Sequence, residues 1–390
     1  LVFCKKNRTF ANYFGILCSN MIKLATVFSG IGAPEQALLR LGVPHQIVFA
    51  CDNGERMIDV DYEREMQHVK SLPNAAQKRE YVDNLYRTHS HRTNFVRMSY
   101  LANYKIENDN YYEDVKLLDG TDYTKKIDLF IGGSPCQAFS CIGNRGGFED
   151  TRGTLFYEFA RLVKEIQPKV FIYENVLGLL SHDDGRTWDT MLNVFNELHY
   201  EYKWAILNAR DFGIPQGRRR IFVVGFRDPE MTNRFCFPNP MDHLPFTMQD
   251  FLEENCAVGS LQSVNGKLTK IDDKKGEPDP VFYLTPKLKA YCLSPGTKNF
   301  MHPGAKIDLP VARTILSTVA NHHRSSVNNY VTTHGKVRSL TPREVTRLMG
   351  FPDSYKMTLS NAQGYKQAGN SIVVDVMMAI IQNIIHAQNW

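Results

Sequence analysis

An apolar run that ends in a glycine pair and a proline–cysteine step constrains this chain more than any other feature. Ile127-Asp128-Leu129-Phe130-Ile131 leads directly into Gly132-Gly133-Ser134-Pro135-Cys136-Gln137. A short apolar run bounded by turn residues predicts a buried strand of a parallel sheet. In open α/β sheets, sites form at the carboxyl ends of such strands. A lone cysteine is most often a small buried hydrophobe. The glycine pair and the proline predict a tight, exposed turn instead. A second run, Lys169-Val170-Phe171-Ile172-Tyr173, predicts another buried strand ending in Glu174-Asn175-Val176. A nucleophile and a carboxylic acid, each just past a strand, predict one active site made from two strand ends. A thiol suits attack on an electron-poor carbon, and a carboxylic acid suits protonation of a ring nitrogen. The pair therefore points to covalent catalysis on a heteroaromatic ring.

The flanking sequence extends the α/β pattern. Lys23-Leu24-Ala25-Thr26-Val27-Phe28 predicts a strand, Ser29-Gly30-Ile31-Gly32 a glycine-rich turn, and Glu35–Arg40 a helix that stops near Gly42. Strand, glycine turn and helix together bring a ligand close to backbone and to a helix amino end. The next strand, Ile47-Val48-Phe49-Ala50, ends in Cys51-Asp52, and an acid there commonly holds ribose hydroxyls. Leu155, Phe156, Phe159, Leu162, Val163 and Ile166 recur at helical spacing, so 154–167 predicts an amphipathic core helix stopped by Pro168. Ile221–Phe226 predicts a further strand, preceded by Arg218-Arg219-Arg220. Such arginines either solvate an edge or clamp a phosphate or carboxylate. Residues 228–335 are rich in proline and short of strand signals, which predicts a separate loop-rich domain. Pro342 opens a helix, and an apolar helix spans 372–388.

Composition narrows the class without choosing a function. The 390 residues include 43% hydrophobic residues, enough for a packed core and too many for a disordered chain. A net charge of +5 permits nucleic-acid binding without requiring it. The eight cysteines contain no Cys-x-x-Cys pair, so zinc-ribbon spacing is absent and no metal is expected. No apolar run reaches the ~18 residues of a membrane span. Residues 53–112 interleave arginines with Tyr86, Phe95 and Tyr100, which suits either a nucleic-acid surface or a solvated helical insertion.

Six of these segments, in this order, resemble the cytosine-5 DNA methyltransferases, especially the compact modification enzymes of bacterial or phage restriction systems. They are Phe28-Ser29-Gly30-Ile31-Gly32, Pro135-Cys136-Gln137, Glu174-Asn175-Val176, Gln216-x-Arg218-x-Arg220, Arg338-x-Leu340-Thr341-Pro342-Arg343-Glu344 and Gly369-Asn370-Ser371. The resemblance implies a Rossmann-like α/β methyltransferase sheet that uses S-adenosylmethionine and no metal, with a smaller target-recognition domain. It implies a non-core extension at 1–20, a catalytic and cofactor-binding domain at 21–227 with an insertion at 53–112, target recognition at 228–335, and a return to the catalytic domain at 336–390. Ala33 stands where the family has a third glycine, Asp52 where it more often has Glu, and Asn53 where an aromatic is frequent.

The resemblance also assigns roles. Cys136 is the nucleophile for cytosine C6, Glu174 serves N3, and Arg218 and Arg220 position the base. Phe28, Ser29, Gly30, Ile31, Gly32, Asp52, Asp114, Pro135, Asn370 and Ser371 hold the cofactor. Gln137, Ser140, Asn144, Arg145, Arg152 and Thr314 contact DNA, with the glycine-rich 140–153 segment closing over a flipped base. The implied setting is a cytoplasmic monomer of a bacterium or phage. It acts on double-stranded DNA without a membrane, and pairs functionally with a restriction endonuclease without a stable complex. Two rivals remain: a tRNA methyltransferase on the same scaffold, whose Cys-Phe-Thr signature is missing here, and a silent DNA-binding relative, against which Cys136 and Glu174 argue.

Overall fold

Parallel pairing of the apolar runs builds a seven-stranded sheet. The computed structural model describes residues 21–135, 155–295 and 306–390. Strands β1 (Ile22–Val27), β2 (His45–Cys51), β3 (Tyr111–Tyr112), β4 (Leu129–Gly132) and β5 (Val170–Val176) run parallel. Outside β5 come β6 (Glu201–Asn208) and, after the two-residue β7 (Gln216–Gly217), β8 (Arg219–Phe226). The order is β3-β2-β1-β4-β5-β8-β6, with β8 antiparallel to both of its neighbours. The chain leaves β1 toward β2 on one side and returns to β4 on the other. The crevice between β1 and β4 is therefore the topological switch point.

The continuous apolar character of these strands follows from burial on both faces. Leu24, Ile131 and Ile172 point into one apolar cluster, while their neighbours Ala25, Phe130 and Phe171 point into another. The first cluster is covered by α1 (Ala33–Leu41) and α11 (Val374–Gln388), and the second by α5 (Leu155–Ile166) and α6 (Arg186–Glu197). Gly42, left-handed at φ 66°, ends α1. α11 is an inner helix of the protein: Val374, Met377, Ile380, Ile381 and Ile384 are all buried.

The 53–112 insertion folds as α2 (Tyr62–Ser71), α3 (Ala75–His89) and α4 (Phe95–Asn103). Beyond β8 lie α7 (Pro229–Arg234), a hairpin of β9 (Leu261–Val264) and β10 (Lys267–Lys270), α8 (Pro286–Cys292), β11 (Ala312–Arg313), and a hairpin of β12 (Tyr330–Thr333) and β13 (Lys336–Ser339). Then follow α9 (Pro342–Arg347) and α10 (Asn361–Asn370). The change of composition at 228 is not a packing boundary. Phe235, Met248, Phe251, Leu261 and Leu268 share the cluster of α1 and α11, whereas Cys292, Tyr330 and Val337 form a small cluster of their own.

The Thr341-Pro342-Arg343-Glu344 motif is a helix start. Glu344 accepts the Thr341 N–H at 2.8 Å and donates its own N–H to the Thr341 hydroxyl at 3.2 Å. The fully buried Arg338 guanidinium grips the same carboxylate through two 2.8 Å bonds.

Candidate active site

Of the two glycines before the cysteine step, Gly132 lets β4 pack against β1, and Gly133 lets the turn after β4 approach β5. A Cβ on Gly132 would meet the Val27 side chain at 2.7 Å, and one on Gly133 would meet Glu174 O at 2.9 Å and Oε2 at 3.0 Å. Ser134 is held from β5: its hydroxyl lies 2.6 Å from the Tyr173 hydroxyl, and its carbonyl accepts from Asn175 Nδ2 at 3.2 Å. Asn175 Nδ2 also donates to Tyr173 Oη at 2.8 Å. Backbone and side chains of β5 thus fix the step that leads to Cys136. Cys136, Gln137, Ser140, Asn144, Arg145 and Arg152 lie outside the described residues.

Glu174 is still within a strand, not past its end. It pairs with Phe222, and Val176 pairs with Arg220, because β8 continues the ladder. That register carries Arg220 to the carboxylate, with Nε 3.2 Å from Glu174 Oε1. Burial holds the Glu174 carboxyl above its ordinary range, against the opposing pull of Arg220 and Arg218.

Arg218 does something different from Arg220. Its side chain is buried and donates to three backbone carbonyls: Ile315 at 2.8 Å, Gly369 at 3.0 Å and Ser371 at 2.8 Å. Burial and the neighbouring Arg220 charge push its guanidinium down to about 9. The expected role of positioning the base is therefore corrected for Arg218: its hydrogen bonds tie chain segments together. Gln216 works beside it, accepting from Ile315 N at 3.0 Å and donating to Leu348 O at 2.7 Å. Thr314, expected to contact DNA, donates its hydroxyl to Gly217 O at 2.6 Å inside the same junction. Gly369 is required there because a Cβ would collide with the Leu316–Ser317 backbone.

A cleft at the switch point brings Phe28, Ser29, Gly30, Gly133, Glu174, Asn370 and Ser371 together. Gly30, at φ 53°, faces space in which a Cβ would meet nothing nearer than Phe28 O at 4.0 Å. Its N–H donates to Asp52 Oδ2 at 3.0 Å, and Gly54 N–H donates to Oδ1 at 2.8 Å. Burial raises the Asp52 carboxyl, while these two N–H groups oppose the rise. The carboxylate keeps further lone pairs for hydroxyl groups. An open glycine, a fixed carboxylate and the adjacent Asn370–Ser371 end form a cradle that fits the ribose and amino-acid ends of S-adenosylmethionine.

Other expected cofactor residues have different surroundings. Gly32 faces the Tyr104 ring, which fills the space of a Cβ, so its glycine serves packing. Ile31 is buried in the apolar cluster. The Ser29 hydroxyl points inward to the Thr26 and Cys51 carbonyls at 3.1 and 3.2 Å. Asp114 is buried and accepts from Tyr86 Oη at 2.7 Å and from Lys116 N at 2.9 Å. Pro135 is exposed, and Asn370 Nδ2 donates to Glu55 at 3.2 Å.

Of the insertion's residues that suit a nucleic-acid surface, Phe95, Arg87 and Arg92 are exposed. Tyr86 and Tyr100 are buried. Arg97 pairs with Glu113 at 2.7 Å, Arg56 pairs with the same carboxylate, and Arg79 donates to Asn110. These arginines stabilise the insertion internally. Sequence reasoning missed Tyr173, Ser134, Tyr100, Tyr104 and Asn94, because each acts through a contact distant in sequence. A cavity of about 680 Å³ lies beyond α1, lined by Gln36, Arg40, Asn103, Ser263 and Asn265, and none of the expected site residues borders it.

Comparison with known proteins shows the family and the fold. The family model for C-5 cytosine-specific DNA methylases matches residues 94–386. The type II methyltransferase M1.ScrFI of Lactococcus lactis subsp. cremoris is 36% identical over 293 residues, covering 75% of this chain and 69% of that protein. The type II methyltransferase M.HhaI of Haemophilus parahaemolyticus is 37% identical over 267 residues, covering 67% of this chain and 77% of that one. Among solved structures, the S. pombe Dnmt2 methyltransferase superposes with a TM-score of 0.60 at 15% identity, over 95% of this chain and all of that one. A putative DNA modification methyltransferase encoded within an E. coli prophage gives 0.58 at 20% identity, over 95% of this chain and 100% of that one.

Proposed function

The chain belongs to the C-5 cytosine-specific DNA methylase family, and from that membership we propose that it methylates C5 of one cytosine within a defined sequence of double-stranded DNA. Protection of host DNA from a cognate restriction endonuclease is the purpose this reading implies, with the enzyme working as a monomer in a bacterial cytoplasm. The observation that carries the chemistry is the contact of Gly133 with Glu174. It brings the turn that runs into Ser134 and Pro135 up to a carboxyl group held above its ordinary range and paired with Arg220.

S-adenosylmethionine, when bound, supplies an electrophilic methyl group. Gly30 and Asp52 would hold its amino-acid and ribose ends, Phe28 would face the adenine, Asp114 would accept the adenine amino group, and Asn370 and Ser371 would close the cleft. The target base cannot reach this cleft from within a duplex and must flip out of the stack. Cys136, as thiolate, adds to C6 and makes C5 nucleophilic. A free thiol with a pKa of about 8.5 is only slightly ionised near neutral pH, so the site must favour the thiolate. Glu174, holding a proton, donates it to N3 as charge develops on the ring. Arg220 steadies the Glu174 carboxyl and lies next to the base. After C5 is methylated, a water takes the C5 proton, the thiolate leaves C6, and N3 returns its proton to the Glu174 carboxylate, which restores the ring. Residues 228–335 carry sequence choice in this reading, chiefly the separately packed part around Cys292, Tyr330 and Val337.

The test is transfer from a labelled methyl donor to duplex DNA and to tRNA in parallel, with digestion to nucleosides. Label recovered as 5-methylcytosine from duplex DNA supports the reading. Label recovered only from tRNA overturns it.

A further inference from the structure

Behind the cofactor turn stands a chain of hydroxyl and carboxyl groups that the proposed chemistry does not use. Tyr100, fully buried on α4, donates its hydroxyl to Glu35 Oε1 at 2.6 Å. The same oxygen accepts from the Thr26 hydroxyl at 2.8 Å. Thr26 Oγ1 also lies 2.8 Å from Ser29 Oγ. A threonine hydroxyl has one proton to give. With that proton taken by Glu35, the Ser29 hydroxyl turns its own proton to Thr26 Oγ1 across the 2.8 Å contact and accepts the Cys51 N–H at 3.0 Å.

Thr26 and Ser29 bracket Phe28, whose φ is 53°. A bulky residue in the left-handed region is strained and persists only where its surroundings dictate it. The bracket supplies that constraint, and α4 reinforces it. Tyr104 donates to Gly32 O at 2.9 Å, Asn94 Nδ2 donates to Asp52 O at 2.8 Å, and Ser99 donates to Gln367 on α10 at 2.8 Å. One short segment thus touches the glycine turn, the Asp52 loop and the helix that ends in Asn370. Glu35 is itself singular. It is fully buried, and its Oε2 has no hydrogen-bond partner, a cost that a purely packing residue would avoid.

We propose that Tyr100 and Glu35 are positioning residues for the cofactor, holding the Phe28–Gly32 turn through Thr26 and Ser29 in the conformation on which S-adenosylmethionine seats. The inference rests on the cofactor reading given above. It predicts that their loss weakens cofactor binding while the saturated rate stays.

The experiment is calorimetric titration of the full chain with S-adenosylmethionine and S-adenosylhomocysteine, alongside steady-state kinetics and thermal melts. Tyr100→Phe keeps the ring and removes the donor, and should weaken both ligands about tenfold, as expected for one lost hydrogen bond to a carboxylate. KM for the cofactor should rise to match, with kcat and KM for DNA unchanged. Glu35→Gln keeps an acceptor oxygen for Tyr100 and Thr26 and should bind within about twofold of the parent, whereas Glu35→Leu should lose more than Tyr100→Phe. If Glu35→Leu fails to fold, Tyr100→Phe against Glu35→Gln still decides. Unchanged affinity in Tyr100→Phe overturns the inference, as does a fall in melting temperature with equal shifts in both KM values. A parent protein that binds neither ligand overturns the cofactor reading itself.

Discussion

Arg218 and Arg220 stand two residues apart, and the structure predicts opposite consequences for their loss. Arg218→Met removes the guanidinium that serves the carbonyls of Ile315, Gly369 and Ser371, all in a buried junction. An orphaned buried carbonyl costs about 1–3 kcal/mol, and three that share one donor do not add in full, so the expected loss is about 4 kcal/mol. Unfolding entropy is roughly 2.1 cal/mol/K per residue, so about 0.8 kcal/mol/K for the 390-residue chain. The melting temperature should then fall by about 5 °C. Arg220→Met removes a partly exposed partner of Glu174. Its stability cost should be smaller, about 2 kcal/mol or less, because a Glu174 carboxyl already raised by burial can take up a proton once the charge beside it is gone. Its kcat should drop by roughly 10²-fold, since the group next to the acid is gone. Scanning calorimetry and single-turnover methyl transfer on both variants make the comparison. If Arg218→Met melts like the parent and loses only its chemical rate, the separation of tie from catalytic neighbour is wrong.

Further outcomes follow from the same contacts. Glu174→Gln should lower the single-turnover rate by roughly 10²-fold with little change in cofactor affinity; an unchanged rate with lost affinity would reassign the residue to binding. The rate–pH profile should rise as the Cys136 thiolate forms and fall as Glu174 loses its proton. Burial raises the Glu174 carboxyl, so the protonated acid persists to higher pH than an ordinary carboxyl allows. In Glu174→Gln the falling limb should vanish; a limb that survives belongs to another group. Gly133→Ala places a Cβ 2.9 Å from Glu174 O. It should cost about 1–3 kcal/mol of stability by overpacking and slow the chemical step at least tenfold; parent-like kinetics would show that the strand ends tolerate separation.

The sequence made the sheet legible because strands buried on both faces read as continuous apolar runs, and each run named above became a strand. Residue type singled out Glu174 and Asp52 in the sequence, and the structure sets Glu174 in the cleft and Asp52 against the Gly30 N–H. Site residues were less legible where geometry decides. Gly30 and Gly32 look alike in sequence, yet one faces an open cleft and the other the Tyr104 ring. Arg218 and Arg220 share a triplet, yet Arg218, just before β8, is held in the buried junction with Ile315, Gly369 and Ser371, while Arg220, within β8, reaches Glu174. Tyr100 read only as one aromatic of the insertion and Asn94 gave no signal, since their partners lie 65 and 42 residues away. The proline-rich texture after residue 228 suggested a domain boundary, but Phe235, Met248 and Phe251 pack into the main core, because texture reports loops and not which surface they cover.

The most direct test of the central claim is covalent capture on duplex DNA in which cytosine is replaced by 5-fluorocytosine. Fluorine at C5 cannot leave as a proton does, so an enzyme that attacks C6 and receives a methyl group stays bound to its substrate. Incubation with S-adenosylmethionine, digestion and mass spectrometry should recover the peptide containing Cys136 joined to a methylated fluorocytosine, and Cys136→Ser should yield none. Recovery of no adduct from a protein that methylates ordinary duplex DNA, or of an adduct on another residue, would contradict the mechanism.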